Sequence, residues 1–343
     1  SHNPFPDNGI KIFDTNGFKI AESVQTEIEK YLLSDMRLGL KTGSEIGNFT
    51  DNSALLYEYV EYAKKAYRGG LKLNLLVDGA NGSASSVIHH ILAGTDLKST
   101  IINVEPNGVN INFNCGSTHL DKLQEVIRQS PGKYDLGVAF DGDADRALFV
   151  GPNAEILDGD HVLYLLAKYY KKNNLLTKDT VVATVMANYG LGVALKKLGI
   201  KLIETNVGDK HVQRAMIEHN YLIGGEQSGH TIFNGYIKTG DGIYTLMKVL
   251  DVLAAEKTTF GEYVKEFVKF PQYLLNVRVK DKKAAMADKT LLAEIKKCAE
   301  KLGGHGRVLV RASGTEELVR IMVEAETELD AKESAEHLAK FVK

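Results

Sequence analysis

The 343-residue chain has no tryptophan, two cysteines and six prolines, and its 42 basic residues nearly balance 44 acidic ones, for a formal net charge of −2. Each shortage excludes something. Cys115 and Cys298 are too few for a disulfide framework or a cysteine-rich zinc site, and they fit a reducing cytoplasm. Without an excess of basic charge there is no electrostatic footprint for nucleic acid, so no nucleic-acid partner is expected. The long uncharged run through Val181 to Leu195 contains Asn188, Gly190 and Gly192. It falls short of the ~20 apolar residues that a spanning helix needs, so no membrane partner is expected either. The opening SHNPFPDN has neither a basic start nor an apolar core and does not read as a signal peptide. What remains is the composition of an ordinary globular protein, 25% charged and 44% hydrophobic. At roughly 150 residues per domain, the length predicts two or three domains with cores of their own.

Strand-like apolar runs alternate with helical patterns through the middle of the chain, the mark of βαβ units and a mostly parallel sheet. KLNLLVDGANG (72–82) predicts a buried strand and a glycine-rich turn, followed by a helix placing Val87, Ile88, Ile91 and Leu92 on one side. TVVATVMANYG (180–190) repeats that pattern, with Leu191, Ala194, Leu195 and Leu198 at helical spacing. Both strands lead into an Ala-Asn pair, which predicts two similar α/β domains in tandem. Residues 51–153 form the first and 154–257 the second, the latter opening with a helix over 159–172. Beyond a connecting segment, the pattern within 258–343 becomes LLNVRV, a helix through Leu291, Ile295, Cys298 and Leu302, the strands RVLV and LVRIMVEA, and a last helix. This is an α+β domain of order βαββα. Residues 1–50 offer only a strand at Ile10 to Phe13 and a helix near Glu22 to Ser34, and they read as the remainder of an incomplete domain.

Four strings carry chemistry. DGDADR (141–146) follows a strand and sets Asp141, Asp143 and Asp145 two residues apart, so that in an extended loop three carboxylates project on one side toward a hard cation. An EF-hand is excluded, because Arg146 and Pro152 stand where that loop needs glycine and glutamate. The position at the carboxyl end of a strand favours a metal over a merely solvated acidic turn, and Mg2+ leaves coordination sites for a substrate phosphate. GGEQSGH (224–230) lets the backbone approach a ligand, with Glu226 to accept from sugar hydroxyls, Ser228 to donate or accept, and His230 to handle a proton. In RASGTEELVR (311–320), the hydroxyls of Ser313 and Thr315, the backbone around Gly314 and the guanidinium groups of Arg311 and Arg320 suit an anion. SHNP (1–4) sets a hydroxyl beside an imidazole. With a free amine, Ser1 could serve as its own base, as in an N-terminal nucleophile hydrolase; otherwise SHNP is a polar tetrapeptide.

In this order, SHNP, DGDADR, NVGDKHV (206–212), GGEQSGH and RASGTEE resemble the α-D-phosphohexomutase superfamily. Gln227, NPFPDNGIK and NFNCGSTH make the chain similar to its bacterial phosphoglucosamine mutase branch. The resemblance implies three related α/β domains and a C-terminal βαββα domain around a central cleft, with the first domain incomplete in this chain. It implies a phosphoserine at Ser1, with Mg2+ held by Asp141, Asp143, Asp145 and the Ser1 phosphate. Lys11 and His230 fall at catalytic positions, with His2 beside the phosphoserine and Arg146 near the metal. Gly208, Asp209, Glu226 and Ser228 match the substrate loops, and Arg311, Ser313, Gly314, Thr315 and Arg320 the loop gripping the phosphate that is not transferred. The implied ligands are a hexosamine phosphate and its 1,6-bisphosphate, and the implied assembly is a cytoplasmic homodimer. Two residues depart from the pattern: Lys210 replaces the usual Arg, losing a planar fork, and Glu317 replaces a Pro, freeing φ. The alternatives are a phosphoglucomutase or phosphomannomutase, an N-terminal serine hydrolase, and a non-catalytic sugar-phosphate-binding fragment.

Overall fold

The apolar run after Leu73 becomes the centre of the first sheet. In the computed structural model, which describes residues 2–7, 9–34, 39–236, 238–313 and 316–342, β1 (Asn74–Asp78) pairs parallel with both β2 (Lys98–Ile102) and β3 (Leu136–Phe140). A strand with parallel neighbours on both sides is covered on both faces, which suits an unbroken Leu-Leu-Val run. β3 continues antiparallel to β4 (Ala147–Val150) and β4 to β5 (Ile156–Leu157), giving the order β2-β1-β3-β4-β5. The helix Leu120–Gln129 buries Leu123 and Ile127 against this sheet. Gly137 of β3 lets them in, since a Cβ there would come within 3.0 Å of Ile127 Cδ1.

β6 (Thr180–Thr184), β7 (Lys201–Thr205), β8 (Ile223–Gly225) and β9 (Thr231–Phe233) stand in the order β7-β6-β8-β9. β6 and β8 are parallel, and β9 returns antiparallel to β8. The order repeats that of the first sheet, so the repeat read between 72–82 and 180–190 has a counterpart in topology. The helix Gly159–Lys172 begins where expected. Asp158 caps it by accepting from Asp160 N–H and His161 N–H, in a reciprocal capping box with the His161 ring. The helix Gly242–Glu256 is buried over most of its length, as its nearly continuous apolar sequence requires.

Contacts divide the chain into two compact units: Ser1–Val185 with Ile203–Tyr263, and Met186–Leu202 with Val264–Lys343. The second contains the helix Tyr189–Lys197 and an antiparallel sheet of β10 (Gln272–Arg278), β11 (Gly306–Ala312) and β12 (Leu318–Ala325), ordered β10-β12-β11. β12 is central, and Val319, Ile321 and Val323 form the core with Leu291, Cys298, Ala335 and Leu338 from the helices. The helix expected through Leu291, Ile295, Cys298 and Leu302 is Lys289–Leu302, capped by the Asp288 carboxylate, and a further short helix, Lys282–Ala287, precedes it.

At the amino end the helix Glu22–Leu33 forms, yet none of its residues is buried. The strand expected at Ile10 to Phe13 is reduced to an isolated bridge between Phe13 and Lys19. Ile10 is 91% exposed. Ile20 N–H donates to Ile12 C=O at 3.1 Å, but among the described residues no strand lies along 10–13, and an apolar segment without one does not become a ladder.

Candidate active site

β3 ends at Phe140 and β4 starts at Ala147, and the six residues between them are the acidic loop. Ala144 N–H donates to Asp141 C=O at 2.9 Å, closing a turn that puts Ala144 at a φ of +59°, an uncommon conformation for a residue with a Cβ. The turn brings one ligand atom each of Asp141, Asp143 and Asp145 within 4.8 Å of one another. The loop is fitted closely into its surroundings. Gly242 N–H, at the start of its helix, donates to Ala144 C=O at 2.8 Å, and Ala147 N–H donates to Gly229 C=O at 3.1 Å. A Cβ on Gly242 would collide with the Arg146 carbonyl.

The electrostatics of the triad are uneven. Asp141 is fully buried; burial, with the charges of Asp145 and Asp143, pushes its carboxyl up to about 7, against the N–H of Arg146. Burial would also raise Asp143 and Asp145. The Lys11 ammonium beside Asp143, and the His230 and Lys11 contacts of Asp145, instead hold both below the usual carboxylate range. Lys11 Nζ bonds Asp143 and lies 2.7 Å from Asp145 Oδ2. Burial opposes its charge, but these hydrogen bonds raise its pKa above the ordinary lysine value. Arg146 Nε stands 3.9 Å from Asp141 Oδ2 and 4.0 Å from Asp145 Oδ1. Asp141 Oδ2 is buried and accepts no hydrogen bond among the described residues. An orphaned carboxylate oxygen among three hard donors, with no soft donor in the cluster, fits a divalent cation that prefers oxygen.

The other expected residues divide into those brought near this loop and those grouped elsewhere. Gly208 N–H donates to Glu226 Oε1 at 3.2 Å, so the loops NVGDKHV and GGEQSGH meet. Asp209 is paired with Lys19, a residue in none of the strings singled out in the sequence. Ser228 is half-buried, and His230 is 3% exposed with both ring nitrogens facing polar partners. His2 is held below its ordinary value by burial and then by the Arg146 charge, and it feels the carboxylates of Asp143 and Asp145. The Gln227 amide reaches Asp160 Oδ2 at 3.1 Å, at the start of the helix Gly159–Lys172. Lys210 makes an exposed pair with Glu22 at 3.6 Å. Ser1 lies outside the described residues.

In the second unit, Arg311 and Arg320 stand directly opposite each other on β11 and β12. Like charges at such positions repel. Arg320 Nη2 contacts Glu316 at 3.2 Å, while its Nε is buried with no hydrogen-bond partner among the described residues. Ser313, 4% exposed, takes Glu316 N–H on its hydroxyl at 3.2 Å. Lys282, which no motif marks, donates to the carbonyls of Ser313 and Glu316 at 3.1 Å each and pairs with Glu317 at 3.4 Å. Gly314 and Thr315 lie outside the described residues.

The chain has relatives among known proteins. Family models described as phosphoglucomutase/phosphomannomutase match in sequence order: domain I over 1–37, domain II over 56–154, domain III over 158–270 and the C-terminal domain over 274–341. The chain is 40% identical to a phosphoglucosamine mutase of Shouchella clausii, over all of this chain and 77% of that protein. It is 44% identical to one of Lachnospira eligens, over 95% of this chain and 72% of that protein. Among solved structures, an N-acetylglucosamine-phosphate mutase aligns with a TM-score of 0.66 at 24% identity; the alignment covers 84% of this chain, which spans 65% of that chain's length. Aspergillus fumigatus N-acetylphosphoglucosamine mutase, in complex with GlcNAc-6P and magnesium, aligns with a TM-score of 0.67 at 25% identity, over 83% and 70% of the two chains. Matched in all four domain models and over its whole length to relatives at 40% identity, the chain belongs to the phosphoglucosamine mutases of the α-D-phosphohexomutase superfamily.

Proposed function

We propose that the protein interconverts glucosamine 6-phosphate and glucosamine 1-phosphate by way of a phosphoserine at Ser1 and a hexosamine 1,6-bisphosphate. The observation that carries the reading is the acidic loop itself: three convergent carboxylates, one of them buried with an orphaned oxygen, beside a lysine ammonium. That is the equipment of phosphoryl transfer, in which positioning and charge stabilisation supply most of the rate. Asp141, Asp143 and Asp145 would hold Mg2+, which supplies Lewis-acid stabilisation of charge on the phosphoryl oxygens when bound. In each half-reaction a P–O bond to one oxygen breaks as a P–O bond to another forms, and the net proton transfer is from the attacking hydroxyl to the leaving oxygen. Lys11, whose ammonium reaches Asp145 Oδ2 at 2.7 Å, stands beside the cation site and is suited to donate to the leaving oxygen.

Glu226, braced by Gly208 N–H, is the acceptor offered to sugar hydroxyls, with Ser228 beside it. The opposed Arg311 and Arg320 would grip the phosphate that is not transferred, with Ser313, Gly314 and Thr315 around it. The free, buried state of Cys115 and Cys298 suits an enzyme of the reducing cytoplasm. The test is to compare kcat/KM on glucosamine, glucose and mannose phosphates, together with intact mass. A preference for the glucosamine pair and a phosphate of about 80 Da on Ser1 are expected. A preference for glucose or mannose phosphate would move the substrate, and absence of the phosphate after priming with bisphosphate would remove the covalent carrier.

A further inference from the structure

We infer that His230 is a positioning residue: its Nδ1–H holds the Asp145 carboxylate in the orientation that presents Oδ2 to the cation, instead of passing a proton to or from the sugar. The inference rests on the metal-site reading above. His230 Nδ1 lies 3.3 Å from Asp145 Oδ1, while Lys11 Nζ marks the other oxygen, Oδ2, at 2.7 Å. The two oxygens of Asp145 thus have different tasks, one steered and one offered.

The tautomer follows from the second nitrogen. Gly240 N–H donates to His230 Nε2 at 3.1 Å. Nε2 therefore presents its lone pair, and the proton of the neutral ring sits on Nδ1, facing a carboxylate. The opposite tautomer would set two N–H groups head to head at Nε2 and turn a lone pair toward Asp145. Asp209 Oδ2, 3.6 Å from Nε2, is already paired with Lys19. The ring is also fixed in place. It is 3% exposed, and a Cβ on Gly240 would collide with its atoms, so only glycine allows this seat. Its backbone is stitched to the acidic loop through an Arg146–His230 bridge, and Glu226 N–H donates to His230 C=O at 3.0 Å. A buried imidazole with both nitrogens committed has little means of reaching a substrate hydroxyl. An imidazole that orients a carboxylate ligand does what outer groups around metals commonly do.

Two isosteric replacements separate the roles. In H230N the amide nitrogen falls near the place of Nδ1 and keeps the donor toward Asp145; in H230Q it falls near Nε2 and loses it. Mn2+ binding to the protein without sugar, followed by electron paramagnetic resonance, is measured for H230N, H230Q, H230A and D145N, with circular dichroism to establish folding. H230N is expected to stay within a few-fold of the unsubstituted protein, while H230Q and H230A weaken Mn2+ binding by on the order of 10- to 100-fold. Equal weakening in H230N and H230Q, or unchanged Mn2+ affinity in H230Q and H230A, would overturn the positioning role. Loss of turnover in H230N with Mn2+ affinity intact would return His230 to proton transfer. Unchanged affinity in D145N would instead remove the metal site on which the inference rests.

Discussion

Lys11 Nζ lies 2.7 Å from Asp145 Oδ2 and also bonds Asp143, so an ammonium stands among the carboxylates that a divalent cation would use. The two positive charges compete for the same oxygens. Lys11→Met should therefore tighten Mn2+ binding in the absence of sugar by roughly two- to fivefold, the range of a partly exposed ion pair, while turnover falls because the donor to the leaving oxygen is gone. Calorimetric titration with Mn2+ alone checks the first effect and steady-state kinetics the second. Weaker Mn2+ binding in the variant would show that Lys11 assists the cation instead of standing in for it.

The opposed guanidinium groups of Arg311 and Arg320 make a trade between binding and stability. With no anion present they repel across the β11–β12 ladder, a cost of about 0.2–1 kcal/mol for like charges at facing positions. Arg311→Gln is expected to raise the unliganded melting temperature slightly and to abolish most of the stabilisation that sugar phosphate confers. Thermal melts with and without glucosamine 6-phosphate read both. A variant that is less stable unliganded, yet equally protected by ligand, would mean that the pair is not an anion site.

The Lys19–Asp209 contact predicts a pH effect. Burial would raise the Asp209 carboxyl, but the Lys19 hydrogen bond and the neighbouring charges hold it below its ordinary value. A carboxyl lowered in the folded state contributes stability that is present above about pH 4 and lost as the pH falls through the depressed value. Lys19→Met removes the main opposing partner, so the variant should be the less stable at pH 7 and the gap between the two proteins should close as the pH falls to 3. Because both groups are partly exposed, the change should stay within about 1 kcal/mol. Urea midpoints at pH 3, 4 and 7 measure it; identical acid limbs would show that the pair contributes nothing.

The acidic loop was legible because its chemistry is local. A buried strand followed by aspartates at every second position needs no distant information to suggest convergence, and the structure brings Asp141, Asp143 and Asp145 together. The repeated strand-Ala-Asn pattern likewise predicts two similar α/β domains, and the second sheet has the strand order of the first. What escaped lies in pairings between remote positions. Lys19 reaches Asp209, Gly240 seats the ring of His230, and Lys282 holds the carbonyls of Ser313 and Glu316, yet none of the three sits in a distinctive string. Asp288 carries a local signal, since an aspartate before Lys-Thr-Leu is an N-cap, and it starts the expected helix; the short helix Lys282–Ala287 before it was not expected. The Ile10–Phe13 strand failed for the opposite reason, since apolar residues promise a strand only where a partner strand lies alongside.

Glu324 supplies the last prediction. In an apolar strand this carboxylate is fully buried, and burial raises its pKa in spite of Arg307 beside it. Its oxygens accept from Arg307 Nε at 2.8 Å, Asn188 Nδ2 at 2.9 Å, Tyr189 N–H at 3.1 Å and Gln272 Nε2 at 3.2 Å. The Asn188 side chain in turn accepts from Phe270 N–H and donates to Phe270 C=O, both at 2.9 Å. One carboxylate therefore ties the start of the helix Tyr189–Lys197 to β10, β11 and β12. Glu324→Ala leaves the partly buried Arg307 guanidinium without this counter-charge, and should cost about 3–5 kcal/mol of stability. Glu324→Gln keeps an acceptor for Tyr189 N–H and Arg307, so its cost should be smaller, about 1–3 kcal/mol. Urea denaturation of both variants, followed by tyrosine fluorescence, provides the comparison. If alanine costs less than glutamine, the network is held by packing and the hydrogen bonds are incidental to it; the expected order reads the acceptor oxygen, because both variants lose the charge and only glutamine still accepts from Tyr189 N–H and Arg307.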